Sequence, residues 1–117
     1  MKVLVIEDVP GLAHYMTKLL TTCGFSPHHA ATPSGAQAML IADGPFDAVI
    51  IDPLYDEGGA RSGLALYDRL RTHLITLNVF MVGETHATIT EHDRVEMHVR
   101  GITYVPLHEF NPATQLR

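Results

Sequence analysis

The spacing of apolar positions changes several times along this chain, and each change marks an element. The run Ala48-Val49-Ile50-Ile51 has no polar interruption and ends abruptly at Asp52-Pro53. It is too short for a helix and does not alternate, so it predicts a strand buried on both faces, as in a parallel sheet. Proline cannot donate to the ladder, so the strand stops at Asp52. Lys2-Val3-Leu4-Val5-Ile6 is a similar run that ends in two acids, Glu7 and Asp8. A weaker strand signal covers Phe25 to Ala31, and clearer ones cover Val79 to Val82 and Ile102 to Leu107.

Between these runs the period lengthens. After Pro10, Leu12, Tyr15, Met16, Leu19 and Leu20 recur at helical spacing, and Gly24 closes that helix. Thr32-Pro33 is an N-cap followed by proline at the first helical position. Ala36, Met39 and Leu40 then form a short stripe that Asp43-Gly44-Pro45 breaks. Ser62 caps a third helix with the inner stripe Leu64, Tyr67, Leu70 and Leu74. From about His86 to Val99 the position and length suit a helix, yet Arg94 to Arg100 alternates with strand period, so a short or irregular helix is expected. Phe110 to Arg117 leaves room for at most about two turns of a final helix.

Strands alternating with helices predict a parallel sheet covered on both faces. The fold class is α/β: a flavodoxin-like, doubly wound five-stranded parallel sheet in the order 2-1-3-4-5, with a short last helix. Its switch point lies between the first and third strands, where such sheets bind ligands. Glu7, Asp8 and Asp52 converge there. Three carboxylates in one cleft repel one another unless a cation sits among them. Hard oxygen donors on a small open site suit Mg²⁺, which would neutralise phosphoryl oxygens while Asp52 attacks phosphorus. Acids are favoured at helix starts anyway, which is the structural alternative for Glu7 and Asp8. Asp52, ending a buried strand, needs a partner in either case.

Composition narrows the function classes. The 117 residues suit one domain, with no output domain following. The net charge is −5 and the eight basic residues are scattered, which argues against nucleic-acid or anionic-membrane binding. No apolar run approaches a membrane span, and Met1-Lys2 leads straight into a strand without a signal-peptide pattern. The single Cys23 excludes an internal disulfide and fits a reducing, cytoplasmic location.

Val3-Leu4-Val5-Ile6-Glu7-Asp8, Asp47 to Asp52, Gly63-Leu64, Val79 to Val82, and Gly101 with Phe110 together resemble the receiver domain of two-component response regulators, over nearly the whole chain. The Glu-Asp pair plus the strand-terminal Asp is the specific part. The resemblance implies that Glu7 and Asp8 hold Mg²⁺, that Asp52 accepts phosphate from a histidine kinase or phosphotransfer protein, and that the backbone carbonyl of Leu54 completes the metal shell. It implies no enzyme activity beyond self-phosphorylation and dephosphorylation at Asp52.

The chain also departs from the family pattern. Gly83 stands where receivers carry Ser or Thr, Thr85 is a candidate substitute, and Glu84 adds bulk and charge where the family residue is small. Without gaps, His108 falls at the family's Lys position and Val105 at its aromatic position. A slip of one residue makes Tyr104 the aromatic and puts Leu107 where Lys belongs. The loop from Pro53 to Gly63, with Asp56 and Glu57, is longer than usual in the family. These departures support an alternative: a degenerate receiver that acts by phosphorylation-independent protein binding.

Two further classes are weaker. An aspartyl-nucleophile phosphotransferase of the haloacid-dehalogenase type would want an acid at position 54, where Leu54 stands. A flavin carrier would need a phosphate loop where Glu7-Asp8 repels phosphate. His28 and His29 point to opposite faces of a strand and cannot share a metal. His92 and Glu96 lack a third ligand, so a solvated helix face is expected. With almost no final helix, apolar surface beside the fifth strand should be exposed. That predicts a homodimer through the fourth-helix and fifth-strand side, or a chain that continues into a longer protein.

Overall fold

The structure, a computed structural model, describes residues 1–55, 60–84 and 89–116, with backbone only at 60 and 61. Strands β1 (Lys2–Ile6), β2 (Ser26–Ala30), β3 (Ala48–Ile51), β4 (Asn78–Gly83) and β5 (Thr103–Pro106) form one sheet in the order β2-β1-β3-β4-β5. Every neighbouring pair is parallel. The expected fold class and strand order are thus those of the structure.

Alternation across the strands divides the core into two layers. One face carries Leu4, Ile6, Val49, Ile51, Val79 and Met81 beneath α2 (Pro33–Ala42), α3 (Ala60–Arg69), α4 (Arg71–Leu74) and α5 (Glu91–Val99). The other carries Val3, Val5, Ala48, Ile50, Val82 and Val105 beneath α1 (Pro10–Thr22) and the C-terminal segment. The uninterrupted apolar runs follow from this: β1 and β3 are covered on both sides, and Val3, Leu4, Ile6, Val49 and Ile51 retain at most a trace of exposure. Each such side chain contributes about 1.5–3 kcal/mol on burial.

Several expected details change. In α1, Ala13, Met16 and Leu20 are buried, whereas Tyr15 is 52% exposed. The third helix begins at Ala60, so Ser62 lies inside it, and it breaks at Leu70 into α3 and α4 while Leu64, Tyr67, Leu70 and Leu74 all stay buried. Of the ambiguous segment, residues 86–88 lie outside the described ones, and Glu91–Val99 is a helix, α5, short as expected and fixed by a capping box: Thr90 accepts from the Asp93 N–H at 3.1 Å and Asp93 accepts from the Thr90 N–H at 2.9 Å. The final helix, α6 (Pro112–Gln115), is one turn, short as expected, and follows a 3₁₀ turn at Leu107–Glu109.

The apolar surface expected beside β5 is covered on the face that the C-terminal segment packs against. Phe110 and Leu116 fold back over Val105, and all three are buried. A 3₁₀ turn and one helical turn are enough to close that layer, because two large apolar side chains do the covering. The apolar residues exposed near this side are Val95 and Val99 of α5.

Candidate metal and phospho-acceptor site

The switch point between β1 and β3 brings three acids together. Glu7 and Asp8 follow β1 directly and Asp52 follows β3, and the register pairs Ile6 with Ile51, so the two strand ends are level. One carboxylate oxygen from each of Glu7, Asp8 and Asp52 lies within 4.8 Å of the others. That donor set fits a small hard cation, and no other metal-binding group of His, Cys, Asp and Glu occurs among the described residues.

Local hydrogen bonds hold Glu7 and Asp52 in place. The Glu7 N–H donates to the Ala30 carbonyl at 3.1 Å, and His29 Nε2 lies 2.8 Å from the Glu7 carbonyl oxygen, where its N–H tautomer donates. The Val9 N–H donates to Glu7 Oε2 at 3.3 Å. The Leu54 N–H donates to Asp52 Oδ1 at 2.9 Å, a turn that Pro53 favours by fixing its own φ. Gly63 closes the loop from behind. A Cβ there would lie 2.7 Å from the Cα and carbonyl oxygen of Pro53 and 2.8 Å from the Asp52 carbonyl, so only glycine lets α3 approach the site.

The acids are electrostatically coupled. Glu7 is 7% exposed, and its carboxyl is raised to about 8. Burial is the largest cause, followed by the Asp52 carboxylate within hydrogen-bonding reach and its negative charge. A divalent cation would remove that conflict.

Beside the trio lies a cavity of about 50 Å³ between α1 and the carboxyl ends of β1, β3 and β4. Its walls include Leu12, Met16, Leu54 and Leu107, with Glu7, Asp52 and Glu84 on the polar side. Among the described residues none of its lining groups is basic.

The structure places the remaining candidates as follows. Gly83 ends β4 opposite Pro106 of β5, and Tyr104 fills the space above it. A Cβ on Gly83 would meet the Tyr104 hydroxyl at 3.1 Å, its Cε1 at 3.2 Å and Pro53 Cγ at 3.1 Å. The Tyr104 hydroxyl is buried with no hydrogen-bond partner among the described residues, and burial raises its pKa. Val105 faces the opposite layer. Leu107 lines the cavity beside Asp52, whereas His108 is exposed in the 3₁₀ turn. The geometry therefore follows the slipped register, with Tyr104 inward and Leu107 toward the acids. Thr85, Asp56 and Glu57 lie outside the described residues.

His29 is exposed, yet its ring fixes the backbone at Glu7, a role no motif in the sequence marks. Its signal was only positional: β2 pairs with β1 and ends level with it. His28 packs edge-on against Phe46 at 5.5 Å. His92 and Glu96 approach to 3.9 Å on an exposed helix face, as a solvated pair would.

No family model matches this chain, and no curated protein matches it in sequence. Solved structures do match it in fold. A response regulator receiver domain (CheY-like) from Methylobacillus flagellatus aligns with a TM-score of 0.74 at 22% identity, covering 100% of this chain and 98% of that one. A response regulator from Thermotoga maritima aligns with a TM-score of 0.74 at 20% identity, over 98% and 90% of the two chains. The receiver domain of the Francisella response regulator 1452 gives 0.72 at 19%, over 93% and 85%. The chain has the flavodoxin-like fold of response regulator receiver domains. Among the described residues no helix is long and apolar enough to cross a membrane.

Proposed function

We propose that this chain is a receiver module of two-component signal transduction whose phospho-acceptor is Asp52. The observation that carries the reading is the convergence of Glu7, Asp8 and Asp52 within 4.8 Å at the switch point of a receiver fold. Glu7 and Asp8, with Asp52 and the Leu54 carbonyl, would hold Mg²⁺, which supplies charge neutralisation for phosphoryl oxygens. The Leu54 N–H orients the Asp52 carboxylate through Oδ1. An Asp52 oxygen forms the new bond to phosphorus as the bond from phosphorus to the donor's imidazole nitrogen breaks. The donor is a histidine kinase or a phosphotransfer protein, and the module works in the cytoplasm.

A second reading is favoured by one specific contact. With no hydroxyl at Gly83 and Tyr104 already packed over it, a phosphoryl group on Asp52 has little to pull on at that end of the sheet. In this reading the module is a degenerate receiver that binds its partner without phosphorylation.

Incubation with Mg²⁺ and acetyl phosphate, read by intact mass, separates the two. One phosphoryl adduct, absent in Asp52→Asn and absent with EDTA, is the expected result. Mg²⁺ binding without an adduct would leave the degenerate reading in place and remove the first.

A further inference from the structure

The cavity beside the acid trio has a chemistry of its own. Leu12, Met16 and Leu107 form an apolar wall, and Glu7, Asp52 and Glu84 stand along the polar side. The cavity is partly open, so a group can enter from solvent, and no described lining residue is basic. Such a site, without a bound metal, suits neither a simple hydrocarbon, which would leave the acids facing an apolar guest, nor an anion, which they would repel. It suits an amphipathic cation: an alkyl stem against the leucines with a charged head among the carboxylates. Glu84 extends the acidic side beyond the three candidate metal ligands, so a divalent ion on the trio would still leave a carboxylate for a second positive group.

We infer that the cavity receives a lysine side chain from a partner protein, which brings in trans a positive charge that none of the described lining residues provides. Lysine is preferred to arginine because a cavity of about 50 Å³ suits a slim tetramethylene stem and a compact ammonium better than a planar guanidinium. Charge complementarity commits the occupant: the wall takes the stem, and the acids take the head. This goes beyond the phospho-acceptor reading and does not require that Asp52 be phosphorylated.

The test uses the full chain and two blocked tripeptides, acetyl-Gly-Lys-Gly-amide and its norleucine counterpart, with side-chain methyl NMR at Leu12, Met16 and Leu107 as the readout. The lysine peptide is expected to shift these methyls saturably, and the norleucine peptide to leave them in place. Leu107→Lys should supply the ammonium in cis; it is expected to fold, to melt higher than the parent at pH 8, and to lose the response to the peptide. Absence of any shift, equal shifts from both peptides, or a Leu107→Lys variant that still responds would each overturn the inference. A parallel Mg²⁺ titration keeps the two proposals apart: metal binding without a lysine response defeats this inference alone, and a lysine response without metal binding defeats only the metal reading.

Discussion

Raising the pH of the metal-free protein strips the proton that Glu7 holds against Asp52. The folded chain keeps that proton up to about 8, whereas an ordinary glutamate releases it near 4.5. The folded state therefore binds the proton more tightly than the unfolded one. The resulting stabilisation is fully present below pH 4.5 and is lost as pH rises through about 8. The whole difference corresponds to about 5 kcal/mol as an upper bound, lost progressively between pH 4.5 and about 8. Urea unfolding followed by far-UV circular dichroism at a series of pH values measures this directly. In EDTA the midpoint should fall from pH 6 to about pH 8 and level off above it. Excess Mg²⁺ should flatten the fall, because a cation replaces the proton as the group that relieves the repulsion. Asp52→Asn should make it shallower without abolishing it, since the neighbouring charge is gone while burial, the largest cause, remains. A wild-type profile in EDTA that is level or rises over this range would refute the reasoning.

Three further outcomes follow from other parts of the molecule. Tyr104→Phe should leave stability unchanged or raise it by up to about 1 kcal/mol, because it removes a buried hydroxyl that has no partner among the described residues, and a clear loss in denaturant titration would contradict this. Gly83→Ser should cost about 1–3 kcal/mol by crowding Tyr104 and Pro53, and the double variant with Tyr104→Ala should recover part of that crowding term in a mutant cycle. Thr90→Ala should lower stability by about 1 kcal/mol by opening the capping box of α5, with helix fraying visible as faster amide exchange at Asp93.

What could be read in the sequence was set by how local each signal is. Asp52 was legible because an unbroken apolar run followed by proline has few meanings, and the same holds for β1 with its terminal acids. Segment 91–99 was obscured by Val95, Met97 and Val99, which alternate like a strand although only Met97 is buried. The capping pattern Thr90-Glu91-His92-Asp93 was the better guide, since it reports the helix start and is indifferent to which side chains are buried. The register of β5 was undecidable from spacing alone. It depends on Gly83 pairing with Pro106 and on Tyr104 filling the space over a residue with no side chain, both contacts between strands distant in sequence. The closing of the last layer by Phe110 and Leu116 is of the same kind: helix length suggested a bare face, but the covering comes from two bulky side chains.

Manganese substitution tests the account at its centre. Added to the full chain at neutral pH, Mn²⁺ should broaden the amide resonances of Glu7, Asp8, Asp52 and Leu54 before any others, Mg²⁺ should reverse the effect competitively, and Asp52→Asn should weaken it severely. Broadening spread evenly over the exposed acids, or unchanged in Asp52→Asn, would contradict a divalent site at the ends of β1 and β3.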